Sequence, residues 1–138
     1  MAAINLGTAV YSDTDADIFR APAGAAILAG QCVYEGTDGK IQLSSTAADN
    51  FGKRQGIAMN SAPTVGQEVA VQQGGTVLGC ATMTVGEAYY ASDTPGSVGS
   101  LATASPDIGS GDWINLLGFA KAATTLRLRP FSPSVKHA

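Results

Sequence analysis

Seventeen glycines, standing singly or in pairs between short runs rich in Val, Ile, Tyr and Thr, interrupt the chain at the spacing of a many-stranded β domain. Nothing between them has the length and 3.6-residue periodicity of a packed amphipathic helix. The one helix-like stretch, Ser45 to Phe51, is short enough to read as a turn between strands. At 138 residues the chain fits one domain with a core of its own.

Four hairpins are expected. Gln31 to Glu35 and Lys40 to Ser44 flank an Asp38-Gly39 turn, a dipeptide that supplies the positive backbone angles of a tight reversal. Ile41 and Leu43 alternate with Lys40, Gln42 and Ser44, the period of a half-buried strand. Gln67 to Gln72 and Thr76 to Cys80 read as a second pair about Gln73-Gly74-Gly75. Glu87 to Ser92 and Ser97 to Leu101 read as a third. Trp113 to Ala120 and Thr124 to Arg129 make the fourth, which Pro130 ends by removing a ladder donor. Leu126 and Leu128 alternate with Arg127 and Arg129, so both guanidinium groups share one face. That face either guards a strand edge or binds a partner.

Residues 1–25 differ in character, with Asp13, Asp15 and Asp17 among small residues and with Ile4, Leu6, Val10, Tyr11, Ile18 and Phe19 scattered between. Two readings fit: an extended arm that orders on a partner, or one more strand of the chain's own sheet. The organisation read from the sequence is therefore an arm at 1–25, a β domain at 26–129 and a flexible tail at 130–138.

Charged residues make up 14% of the chain, against roughly 25% in ordinary soluble domains. Like-charge repulsion is what keeps most monomers apart, so this surface suits association. The net charge of −3 hides a polarity: 1–112 holds eleven acids and four Lys/Arg (−7), and the remainder holds Lys121, Arg127, Arg129 and Lys136 with no acid (+4). The basic end fits an acidic protein surface. A nucleic-acid partner calls for a denser cluster, so none is expected. No apolar run reaches the roughly 18 to 20 residues that span a bilayer, and the first residues lack the basic start and apolar core of a secretion signal. No membrane partner is expected, and synthesis is expected in the cytoplasm.

Chemistry has few carriers. The single histidine, His137, lies beside the last residue, which removes most Ser-His and Cys-His mechanisms. Cys32 and Cys80 are too few and too far apart for a metal knuckle and read as buried apolar thiols, with a bridge between them as the alternative. Asp13, Asp15 and Asp17 lack the Gly and Glu of a calcium loop. Gly109-Ser110-Gly111 leads into a β run, not a helix, and so cradles no phosphate. No catalytic residue, cofactor or metal is expected. Trp113 with Tyr89 or Tyr90 offers a sugar platform only if they share an exposed rim; adjacent tyrosines in one strand point to opposite faces.

From about Ala23 to Leu128 the order of phrases resembles the small capsid cement and decoration proteins of tailed phages. The phrases are Ala29-Gly30-Gln31-Cys32-Val33-Tyr34 before an Asp-Gly turn, Gln55-Gly56-Ile57-Ala58-Met59-Asn60 leading to Val65-Gly66-Gln67-Glu68-Val69-Ala70-Val71, Gly74-Gly75-Thr76-Val77, Val85-Gly86-Glu87-Ala88-Tyr89-Tyr90, Thr94-Pro95-Gly96, and Leu117-Gly118-Phe119-Ala120 with Thr124-Thr125-Leu126. The resemblance implies an all-β fold, a small antiparallel β-barrel of short strands and hairpins; the extended N-terminal arm lies outside the part that carries it and rests on the residue reading above. The resemblance also implies a homotrimer on the outside of the virion, at three-fold or quasi-three-fold positions, clamping neighbouring major capsid proteins. Taken with the apolar pattern of residues 1–25 and the basic face of the last strand, it makes Ile4, Leu6, Val10, Tyr11, Ile18, Phe19, Arg127 and Arg129 the expected capsid or subunit interface. A head-fibre or tail-appendage module that binds a receptor or carbohydrate is the alternative.

Overall fold

A computed structural model describes residues 4–81, 83–100 and 111–137. Among them are ten strands and no helix: β1 (Tyr11–Ser12), β2 (Asp17–Pro22), β3 (Cys32–Glu35), β4 (Ile41–Leu43), β5 (Gln55–Ala58), β6 (Glu68–Leu78), β7 (Ala88–Ala91), β8 (Val98–Ser100), β9 (Leu116–Ala122) and β10 (Thr125–Phe131). They form one curled antiparallel sheet in the order β4-β3-β5-β6-β10-β9-β7-β8, with β1 and β2 also paired to β6. The all-β barrel expectation holds. Both edges are covered: Ala23 bridges Ile41 beside β4, and Ile4 bridges Val98 on β8. The Cys32 amide donates to Gly96 O and the Gly96 amide to Ser44 O, tying the β7–β8 turn to the β3–β4 hairpin.

The hairpins at 31–44 and 87–100 form as read, with Leu101 outside the described residues. The second expected hairpin does not form. Residues 68–78 are one eleven-residue strand that bends without reversing. Gly75 takes φ +84°, a left-handed angle open to glycine, yet Gly74 still pairs with Asp17 and Gly75 with Leu128. The bend takes carbonyls out of regular register, and the Gln72 side chain, fully buried, meets them. Its Nε2 donates to Gly74 O (3.0 Å) and Thr76 O (2.9 Å), while Ser12 Oγ donates to its Oε1 (2.8 Å). A local side-chain substitute for ladder bonds turns a glycine pair from a reversal into a kink.

That kink divides the interior. Because neighbours in a strand face opposite ways, Cys32 of β3 and Ile57 of β5 join a core with Leu6, Val10, Val77, Tyr89, Leu117, Leu126 and Leu128. Val33 and Ala58 join a second with Phe19, Ile27, Ile41, Val69 and Val71. So β3 and β5 are a wall buried on both faces, and every residue of β5 is buried. At about 1.5 to 3 kcal/mol for each large apolar side chain, both cores contribute substantially.

The N-terminal segment takes the second of its two readings. It is extended, but β1 and β2 lie along β6, and Leu6, Val10 and Phe19 are core residues. The tail also differs from expectation. β10 continues through Pro130 to Phe131, because β6 pairing ends at Leu128 and the β9 register shifts between Leu128 and Phe131, so no ladder donor is required of residue 130. Beyond it the Ile114 amide donates to Val135 O and the His137 amide to Asp112 O, which holds the tail against 111–114 instead of leaving it free.

Cys32 and Cys80 are free and buried in the same core. Burial pushes their thiols up to about 12 and about 11, and the thiolate is the reactive species. We expect a thiol reagent at pH 8 to label the native protein at least ~100-fold more slowly than the unfolded chain. Rapid stoichiometric labelling under native conditions would contradict this burial.

Candidate interaction surface

The alternation in Thr125-Leu126-Arg127-Leu128-Arg129 buries the leucines and leaves Arg127 half-buried and Arg129 exposed on the outer face of β10. Register extends that face across four strands: Arg127 lies opposite Thr76 of β6 on one side and Phe119 of β9 on the other, and Phe119 lies opposite Ala88 of β7. A second row crosses Phe131, Leu116 and Tyr90. Phe119 is 40% exposed and Phe131 61% exposed; Leu116, Ala88 and Tyr90 are half-buried. The result is a sheet face of aromatic and aliphatic side chains with two arginines.

Its β6 end is fixed by an acid. The Thr76 amide and hydroxyl donate to Asp15 Oδ1 and Oδ2, both at 2.9 Å. These two bonds, with a smaller effect of the Arg127 charge, hold the Asp15 carboxyl below its ordinary value of 3.8. A carboxylate with a lowered folded pKa stabilises fully above the unfolded value and loses that effect as pH falls through the folded one. Asp15→Asn should therefore show a smaller drop in melting temperature between pH 7 and pH 3 than the wild type. An equal drop would remove Asp15 from the acid response.

The other expected interface residues divide. Tyr11 is 57% exposed and Ile18 is also exposed, while Ile4 is half-buried at its bridge to Val98. Leu6, Val10 and Phe19 offer no surface, because β6 has drawn them into the cores; this corrects their placement at an interface. Phe19 is sealed by Arg54, whose guanidinium carbon stands 3.9 Å from the ring centroid. Arg54 is held there by Glu35 through two bonds, Nε to Oε1 at 3.0 Å and an Nη2 contact to Oε2 at 2.8 Å, and this pairing keeps the Glu35 carboxyl below its usual value. The basic residue at the end of a β-strand approach thus caps a core, a role that sequence spacing does not reveal.

A second feature missed in the sequence lies under the 44–55 loop. Asn115, fully buried, accepts at Oδ1 from the Asn50 amide (3.1 Å) and Ser132 Oγ (2.7 Å), and donates from Nδ2 to Ser45 O (3.0 Å) and Ala48 O (2.9 Å). Gln55 Nε2 donates to Ser132 Oγ, and Asn50 Nδ2 donates to Ser44 Oγ. The network joins β5, the loop, the strand entry at 115 and the tail.

No group of three or more His, Cys, Asp or Glu among the described residues is placed to hold a metal. An open pocket of about 190 Å³ between residues 5–8 and 28–31 has no titratable side chain in its lining. Tyr89 is buried, its hydroxyl accepting from the Thr84 amide, and Lys136 Nζ lies 5.0 Å over the Trp113 ring. Tyr89 and Trp113 therefore form no shared open platform. Gly109 and Ser110 lie outside the described residues. No helix among the described residues is long and apolar enough to cross a membrane. Compared with family models, curated proteins and solved structures, the chain matches none.

Proposed function

We propose that this chain is a structural protein of a tailed-phage virion, not an enzyme, that binds the outside of the capsid and stabilises it by bridging neighbouring major capsid proteins as a trimer. The observation that carries the reading is the outer face of β7, β9 and β10, where Phe119 and Phe131 stand exposed beside Arg127 and Arg129 on a regular sheet. Contiguous apolar surface of this kind marks a protein interaction site more often than a solvated face. The order of phrases along the sequence and the 14% charge content support the same reading. Binding only the assembled lattice favours the intact shell by mass action, and many modest contacts suffice.

The test is to compare particles of the encoding phage made with and without this gene. Reconstructed images should show added outer density at three-fold or quasi-three-fold positions in the complete particles. The depleted particles should rupture several degrees lower on heating. Identical density and identical rupture temperature would reject the proposal.

A further inference from the structure

We propose that the outer face of β7, β9 and β10 is a docking surface for an acidic protein surface that carries apolar side chains. The inference deepens the proposed function and rests on it for the partner's identity as the shell subunit.

Three observations carry it. First, the cross-strand rows Arg127-Phe119-Ala88 and Phe131-Leu116-Tyr90 lie on one side of one sheet, and strand pairing holds them in a fixed array. A rigid aromatic array loses little entropy on binding, and aromatic and arginine side chains are the residues most enriched where protein interfaces concentrate their affinity. Second, the three strands of the face carry one sign of charge. β7, β9 and β10 contain Lys121, Arg127 and Arg129 and no carboxylate. Two acids border it: Asp15, exposed at the β6 end, is engaged by the Thr76 amide and hydroxyl, and Glu87, just before β7, has its Oε2 buried. Third, Arg127 and Arg129 take part in neither of the ion pairs formed among the described residues, Arg20–Glu68 and Arg54–Glu35. Exposed cations beside exposed aromatic rings, on a chain of net charge −3, are complementary to carboxylates flanked by apolar groups. A nucleic-acid partner would ask for more phosphate contacts than three cations supply.

The test uses the full chain and three variants: Arg127→Gln with Arg129→Gln, Phe119→Ser with Phe131→Ser, and, as a control at an exposed position outside the face, Val65→Ser. Binding is measured to purified shells that lack the protein. The isotope-labelled protein is also titrated, amide by amide, with a synthetic peptide of alternating Glu and Phe and with a twenty-residue oligothymidylate. Each double variant should weaken shell binding about tenfold or more, with Val65→Ser within about twofold, and the peptide should shift amides of β7, β9 and β10. Undiminished shell binding by both double variants would overturn this face while leaving the shell function standing. If the wild type binds no shells, the shell function fails and the peptide decides the face: shifts on these strands uphold it, and shifts elsewhere or none overturn it. Oligothymidylate acting at lower concentration than the peptide, or concentration-dependent shifts of the same amides without any probe, would overturn the acidic partner in favour of a nucleic acid or a second copy. Should a double variant fail to fold, Arg129→Gln and Phe131→Ser singly, both at exposed positions, take its place.

Discussion

Gly75→Ala should lower the melting temperature by roughly 10 °C, corresponding to about 3 kcal/mol or more at this chain length. Two costs add. An L-residue at φ +84° is strained by about 1 to 2 kcal/mol. The added Cβ would also stand 2.4 Å from Asp15 O, a backbone atom that cannot swing away. Relief requires the turn at 13–16 to move off β6, and that movement breaks the Asp15 contacts to Thr76. Thermal unfolding followed by circular dichroism measures the loss. A shift under about 2 °C would show that the kink accommodates a side chain and that β6 is not conformationally fixed there.

Asn115→Leu should be at least as damaging, by about 3 to 5 kcal/mol, although it keeps the branched shape of the side chain and adds apolar surface. The substitution leaves the buried Asn50 amide and the part-buried carbonyls of Ser45 and Ala48 without the partners they now have. A buried group deprived of its partner costs about 1 to 3 kcal/mol, and a network loses more than one pair at a time. Denaturant unfolding should show a lower midpoint. Proteolysis should cut first within the 44–55 loop. A midpoint unchanged from wild type would mean that the loop is held by its backbone alone.

What the sequence discloses and what it conceals follow from the range of the interactions. The Asp38-Gly39 hairpin and the alternation of Leu126 and Leu128 with two arginines are local patterns, set by turn angles and the two-residue period, and both are legible. The continuity of β6 is not. Gly74-Gly75 reads as a reversal unless Gln72 is known to reach back to the carbonyls of Gly74 and Thr76, and Ser12 forward to Gln72 across sixty positions. The fate of Leu6, Val10 and Phe19 is hidden for the same reason: an apolar residue among acids reads alike whether a partner or its own sheet covers it. Of the interaction face, Arg127 and Arg129 were legible. Phe119 and Phe131 were not, because cross-strand register brings Phe119 to Arg127, and a proline that ends most strands stands before Phe131.

The sharing of β6 has a dynamic consequence. Its first half borders one core through Val69 and Val71, and its second half borders the other through Val77, while β3 and β5 belong to both. Neither half has a complete hydrogen-bonded boundary without the other, so local opening cannot release one core and spare its neighbour. We expect the two halves to open as a single foldon. Amides on β2 and on β9, in different parts of the sheet, should then exchange with solvent at the same free energy, that of global unfolding, and a ligand that grips one face will slow exchange throughout the molecule.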